Sequence, residues 1–255
     1  LDILKTITPA LGGLISAVGG GGKTTLLFRM AKGLSGRRQR VLLTTTTKMY
    51  VPGHSRDWVL IIEDDEDKAF EKVSNTDAGI VILGREVLPE GKMTGIDPCL
   101  ADRIFKRRIF DFVLVEADGA KRKPIKAPAA HEPRVPESTT CVLGVIGLDA
   151  MGKLLTEEVF HRARLFSREF GFEPGAAIDE DIVAALVTSR NGLFKNAPDW
   201  ARKILVLNKA DDQEARLKAR KIAFAVKQRK RCDVLPDIIL MSSFISDKPY
   251  LEVLG

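Results

Sequence analysis

The chain has 255 residues, 45% of them hydrophobic, 29% charged and 6% aromatic, with a formal net charge of +6. That balance fits an ordinary globular protein with room for a full core, and so few aromatics disfavour a base-stacking platform for single-stranded nucleic acid. Cys99, Cys141 and Cys232 lack the paired spacing of a disulfide framework or zinc knuckle, and no apolar run reaches the roughly 18 residues of a membrane span.

Short apolar runs alternate with helix-period segments, which predicts a mostly parallel sheet wrapped by helices. Strands are expected at 14–18, 41–45, 58–62, 79–83, 112–116, 141–146, 204–207 and 238–241. Helices are expected at 23–34, 65–73, 98–107, 157–170, 179–189 and 213–228. No linker interrupts the pattern, so one P-loop nucleotide-binding domain over 1–255 is expected.

Between the first strand and first helix lies Gly19-Gly20-Gly21-Gly22-Lys23-Thr24-Thr25. Glycines let successive backbone N–H groups point at a polyphosphate, and the helix N-terminus adds a favourable dipole. Lys23 is placed for the outer phosphates and the Thr24 hydroxyl for a magnesium ion. The usual first glycine of this motif is replaced by Ala17, so the loop is a relaxed form of it.

The second strand ends in Thr44-Thr45-Thr46-Thr47-Lys48, where a threonine or Lys48 could meet the γ-phosphate. The acidic run 63–67 reads as a helix start, where carboxylates suit the dipole. Segment 85–97, with Pro89, Gly91 and Gly95, reads as a long loop or hairpin. At the end of the fifth strand, Glu116 and Asp118 point to one side, because strand side chains alternate. Asp118 is expected to be the magnesium-linked carboxylate, and Glu116 a second metal-shell group or a water-positioning base. Segment 119–138 carries Pro124, Pro128, Pro133 and Pro136, which exclude a continuous helix. It also carries Lys121, Arg122, Lys123, Lys126 and His131, a basic setting for an anionic group.

Asn208-Lys209-Ala210-Asp211 follows an apolar strand and has the form of an element that reads guanine. A carboxylate at 211 can accept from two guanine donors that adenine lacks, Asn208 can help hold the base edge, and the Lys209 stem can pack along the ring. The other reading is a polar turn capping the next helix through Asp211 or Asp212. Ser242, after the last predicted strand, is a further candidate for approach to the base. The basic residues of 216–231 suit the solvated face of an amphipathic helix better than a nucleic-acid patch.

Taken together, these motifs, with 126–133 and Gly147-Leu148-Asp149-Ala150, resemble the selenium-dependent hydroxylase accessory proteins, the YqeC-like family. The resemblance runs in unbroken order over 14–211. It implies a bacterial cytoplasmic nucleotide-binding protein linked to maturation of molybdenum hydroxylases that carry labile selenium. The partner it implies is such a hydroxylase or its selenium or cofactor donor.

The expected fold is α/β, a P-loop NTPase-like three-layer sandwich. The expected activity is magnesium-dependent binding and hydrolysis of GTP (or ATP), with Lys23, Glu116 and Asp118 as catalytic groups. Gly19, Gly20, Gly21, Gly22, Lys23, Thr24, Thr25, Asn208, Lys209, Asp211 and Ser242 would hold the nucleotide, and Thr24 and Asp118 the metal. Two alternatives stand beside it: a P-loop kinase or nucleotidyl transferase acting on a small anionic acceptor, and a nucleotide-gated chaperone without turnover. A cytoplasmic location follows from the cysteine usage, and no membrane or nucleic-acid partner is expected.

Overall fold

A computed structural model describes residues 6–7, 12–229, 232–245 and 250–254. The first half runs β1 (Gly13–Gly19), α1 (Lys23–Ser35), β2 (Val41–Thr45), β3 (Lys48–Tyr50), β4 (Val59–Ile62), α2 (Glu66–Ser74), β5 (Ile80–Gly84), β6 (Lys92–Thr94), α3 (Pro98–Lys106) and β7 (Phe112–Glu116). The second half runs β8 (Ile125–Lys126), β9 (Cys141–Gly147), β10 (Phe160–His161), α4 (Ala163–Phe170), α5 (Glu180–Thr188), β11 (Arg202–Asn208), α6 (Gln213–Gln228), β12 (Ile238–Ser243) and β13 (Tyr250–Val253).

Nine strands form one sheet in the order β13-β12-β11-β9-β1-β7-β2-β5-β4, parallel throughout except for β13. Alternation along each central strand sends one set of side chains to each face. Ile15, Phe112 and Leu114 join α1 residues Leu26, Leu27, Met30 and Leu34 in one core. Leu14, Val113 and Val115 join Val73, Leu100, Ile104, Leu186 and Ile222 in the other. With helices covering both faces of the sheet, this is a mixed α/β sandwich of the P-loop NTPase-like kind. Among the described residues, no helix is long and apolar enough to cross a membrane.

Helix starts follow local chemistry. Asp65 accepts from the amides of Asp67 and Lys68, so the acidic run caps α2. Asp97 and Asp179 cap α3 and α5 in the same way. Segment 85–97 forms the hairpin arm in which β6 pairs antiparallel with β3.

One predicted helix is shorter than its periodicity suggests. Within 157–170, only Ala163–Phe170 is helical. Phe160 and His161 instead pair in parallel with Ile125 and Lys126, and Arg162 sits in the left-handed region at φ 65. Phe160 packs on Phe166 with ring centroids 4.8 Å apart, so tertiary packing keeps the side-chain spacing while the backbone is extended. β13, which pairs with β12 at the sheet edge, has no counterpart in the sequence-based expectation.

Leu114 is fully buried in the strand beside β1. Leu114→Ala is expected to cost about 2–5 kcal/mol in urea denaturation, as transfer and cavity terms add. A loss below about 1 kcal/mol would show that the α1 side of the sheet is loosely packed.

Candidate phosphate-binding site

The C-terminal ends of β1, β7, β2, β9, β11 and β12 meet along one edge of the sheet. Register fixes the meeting: Ala17 lies beside Glu116, Thr45 beside Glu116, Gly19 beside Val145, and Asn208 between Gly147 and Ser242. In open α/β sheets this edge is where ligands bind.

The glycine loop turns from β1 into α1 through Gly21 at φ 73 and Gly22 at φ 116, angles that side-chain-bearing residues rarely adopt. Part of the loop is already engaged by protein. The Gly19 amide donates to Asp118 Oδ2 at 3.0 Å, Gly20 to the Val145 carbonyl at 2.9 Å, and Gly21 to the Lys123 carbonyl at 3.1 Å. Segment 119–138 therefore rests directly on the loop. A Cβ at position 20 would come within 2.6 Å of the Lys123 carbonyl oxygen. The amide end of α1 differs: no side chain caps it and its first turn holds no acidic residue. Its leading N–H groups, at Lys23, Thr24 and Thr25, have no intrahelical acceptor.

Lys23 is 4% exposed and lies at the centre of an ion network. Its ammonium donates to the Gly19 carbonyl at 2.5 Å and lies 3.1 Å from Asp118 Oδ1 and 3.8 Å from Glu116 Oε1. Burial works against its charge, but Asp118 and Glu116 outweigh that and hold its pKa above the ordinary lysine value. Burial pushes the Glu116 carboxyl upward, with Lys23 and the Thr24 hydroxyl opposing.

Thr24 donates to Glu116 Oε2 at 2.6 Å. The hydroxyl expected to reach a metal is therefore paired with Glu116 here. Asp118, 2% exposed, is shared among the Gly19 amide, Lys23 and Lys126, whose ammonium lies 3.0 Å from Oδ2. Oδ1 of Asp118 is buried with no well-aligned hydrogen bond, so Lys23 meets it as a charge alone. No group of three or more His, Cys, Asp or Glu side chains could hold a metal among the described residues. Any metal at this edge would be held through one carboxylate and the threonine, with the rest of its shell from phosphate and water.

Lys126 carries the network onward. It donates to the Gly119 carbonyl at 2.8 Å and to Glu132 Oε2 at 2.7 Å, and Arg162 Nη1 reaches the same Glu132 oxygen at 2.6 Å. Burial would raise Glu132, but Arg162 and Lys126 pull its pKa down to about 2. His161, in β10, is driven down to about 4 by burial and by the cations Arg162 and Lys126. His131 is exposed. Lys126 belongs to the basic set expected from sequence to meet an anionic group, and here it is spent on Asp118, Gly119 and Glu132; Glu132 has no sequence signal of its own.

The base-reading candidates also converge. Asn208 Nδ2 donates to the Gly21 carbonyl at 2.8 Å, and Asn208 Oδ1 accepts from the buried Ser242 hydroxyl at 3.1 Å. These two side chains brace the glycine loop from the neighbouring strands. The helix cap falls to Asp212, which accepts from the Ala215 amide at 2.7 Å. Exposed Asp211 instead accepts from the Ser243 hydroxyl at 2.6 Å through Oδ1. Lys209, at φ 66, pairs with Asp149 at 2.7 Å. Ser243 and Asp149 are thus partners of this element that sequence spacing could not assign. The Thr44, Thr45 and Thr46 hydroxyls donate to the carbonyls of Leu83, Glu116 and Arg134, which leaves Thr47 the least committed of the four. The cysteines stand apart: Cys99 and Cys232 are exposed, while Cys141 is buried and pushed up to about 12.

This arrangement is an α/β sandwich of the P-loop NTPase-like kind with its glycine loop at the ligand-binding edge of the sheet, and comparison with known sequences gives the family. The family model described as YqeC protein matches residues 15–164. The chain is also similar to the protein of Escherichia coli (strain K12) described as "Uncharacterized protein YqeC", at 35% identity over 196 residues, 77% of this chain and 75% of that one. The chain belongs to the YqeC family.

Acid should reveal the ion network. His161, at about 4 when folded against an ordinary 6.5, takes up its proton more readily in the unfolded chain, so stability falls as pH drops from 6.5 towards 4. Glu132, at about 2 against 4.5, adds a second loss below pH 4.5. Melting temperature measured from pH 7 to pH 3 should fall in both windows. Glu132→Gln should make the lower window shallower, and an unchanged profile there would remove Glu132 from the network.

Proposed function

We propose that the chain binds a purine nucleoside triphosphate with magnesium, GTP in preference to ATP, and hydrolyses it. The observation that carries this reading is the uncapped amide end of α1 directly beside a buried, charged lysine. A helix terminus of this kind attracts anions, and the cation beside it neutralises outer phosphate charge. On phosphate binding, the Lys23 ammonium exchanges the Gly19 carbonyl for a phosphate oxygen and keeps Asp118 within reach. Lys126 stays paired with Asp118, so the carboxylate is not left as an unpaired buried charge.

Thr24 and Glu116 are the pair that would hold magnesium, with Asp118 beside them as a charge that steers Lys23. The ion would supply Lewis-acid neutralisation of the outer phosphate oxygens. Lys23 and the leading amides of α1 stabilise charge on the transferring phosphoryl group, and Thr47, whose only side-chain partner among the described residues is the Thr45 hydroxyl at 3.4 Å, is the candidate to orient water. Asp211, positioned by Ser243, reads the guanine edge, while Asn208 acts through the loop it braces. The Lys209 stem flanks the base. On the family resemblance, this activity serves the maturation of selenium-dependent molybdenum hydroxylases in the cytoplasm.

Thermal shift tests the reading. At a ligand concentration of 100 Kd, preferential native-state binding is worth about 2.7 kcal/mol, or roughly 5–10 °C in Tm for a chain of this size. GTP with magnesium should raise Tm more than ATP at equal concentration, and Lys23→Ala should abolish both shifts. Asp211→Ala should equalise the two nucleotides. Equal shifts in the unaltered chain would defeat the guanine assignment and leave the phosphate site standing.

A further inference from the structure

Beside the phosphate loop, two loops from neighbouring strands converge on one aromatic ring. Tyr50, 47% exposed, ends β3 just beyond the threonines of β2. The Arg122 guanidinium, from the segment that follows Asp118, lies 4.4 Å from its ring centroid. Lys92, paired with Tyr50 across β3 and β6, has its ammonium 5.1 Å from the same centroid. Lys121 precedes Arg122 and is exposed.

Three features set this cluster apart from an ordinary solvated surface. Lys121 and Arg122 both hold left-handed backbone angles, at φ 48 and φ 62, a costly arrangement for successive residues with side chains. The turn is fixed to the nucleotide site, since the next carbonyl, that of Lys123, accepts the Gly21 amide at 3.1 Å. Neighbouring cations have carboxylates, Lys48 at Glu90 and Lys123 at Glu157, whereas Lys92, Lys121 and Arg122 have no carboxylate partner among the described residues. Tyr50 keeps the Arg122 guanidinium in place without neutralising it.

We propose that Lys92, Lys121 and Arg122 form a second anion site, which binds a phosphorylated small molecule beside the outer phosphates of the bound nucleotide. The proposal rests on the nucleotide reading above for what lies next to the site. A planar guanidinium offers paired donors to a phosphate group, and the two ammonium groups supply the remaining charge. The ligand is an acceptor or cargo distinct from the nucleotide.

Pyrophosphate titrated calorimetrically into the full chain, without magnesium, separates the two sites. Two binding events are expected. Lys23→Ala should remove one and leave the other, and saturation with a non-hydrolysable GTP analogue should do the same without altering the protein. In that nucleotide-saturated state, Lys92→Gln with Arg122→Gln should weaken the remaining event at least tenfold. A single event abolished by Lys23→Ala would overturn the second site while supporting the phosphate loop. Two events that both survive Lys23→Ala would count against the loop assignment instead. Remaining binding that is indifferent to the Lys92 and Arg122 substitutions overturns the proposal. So does a surface that ignores pyrophosphate but holds single-stranded RNA through those residues.

Discussion

An ammonium ion buried at 4% exposure can exist only where carboxylates meet it, and the site grows outward from that requirement. Lys23 needs Asp118 and Glu116; Asp118 in turn is shared with Lys126, Lys126 with Glu132, and Glu132 with Arg162. Three cations and three carboxylates alternate from the first turn of α1 to the start of α4. Removing an interior member takes one of two partners from each neighbour, and losing Lys23 leaves buried Glu116 without its cation, which is costlier than the net worth of the pair itself. The proline-rich segment 119–138 is held against the glycine loop by this chain of charges as well as by the backbone bond from Gly21 to Lys123.

That constraint explains how a ligand at the loop would be felt elsewhere. A phosphate competing for Lys23 changes the share of Asp118 that falls to Lys126. Lys126 also holds the Gly119 carbonyl and Glu132, which ties Asp118 to the segment that carries Arg122. On the other side, Asn208 links the same loop to the strand end that presents Asp211. The glycine loop and the strand end that carries Asp211 are thus joined through a hydrogen bond to the Gly21 carbonyl.

Much of this was legible in the sequence because it is local. Strand 112–116 was marked by its apolar run, the start of α1 by glycines followed by Lys-Thr, and the start of α2 by its acidic cap. The remainder depends on contacts between distant segments. Nothing local distinguishes Glu116 from Asp118 as the partner of Thr24; that follows from the β1–β7 register, which sets Glu116 beside Ala17. The helix expected over 157–170 was shortened because Phe160 and His161 pair with β8, a strand of two residues without a sequence signal. Ser242 and Ser243 together end the last apolar run, and only the structure shows that Ser243 faces Asp211 while Ser242 meets Asn208.

Backbone amide resonances report directly on which part of the chain meets a nucleotide. In a nitrogen–proton correlation spectrum titrated with magnesium and a non-hydrolysable GTP analogue, the amides of Gly22, Lys23, Thr24 and Thr25 should shift together and saturate at one nucleotide per chain. If those four resonances stay in place while others move, the nucleotide binds elsewhere and the α1 terminus is a structural turn.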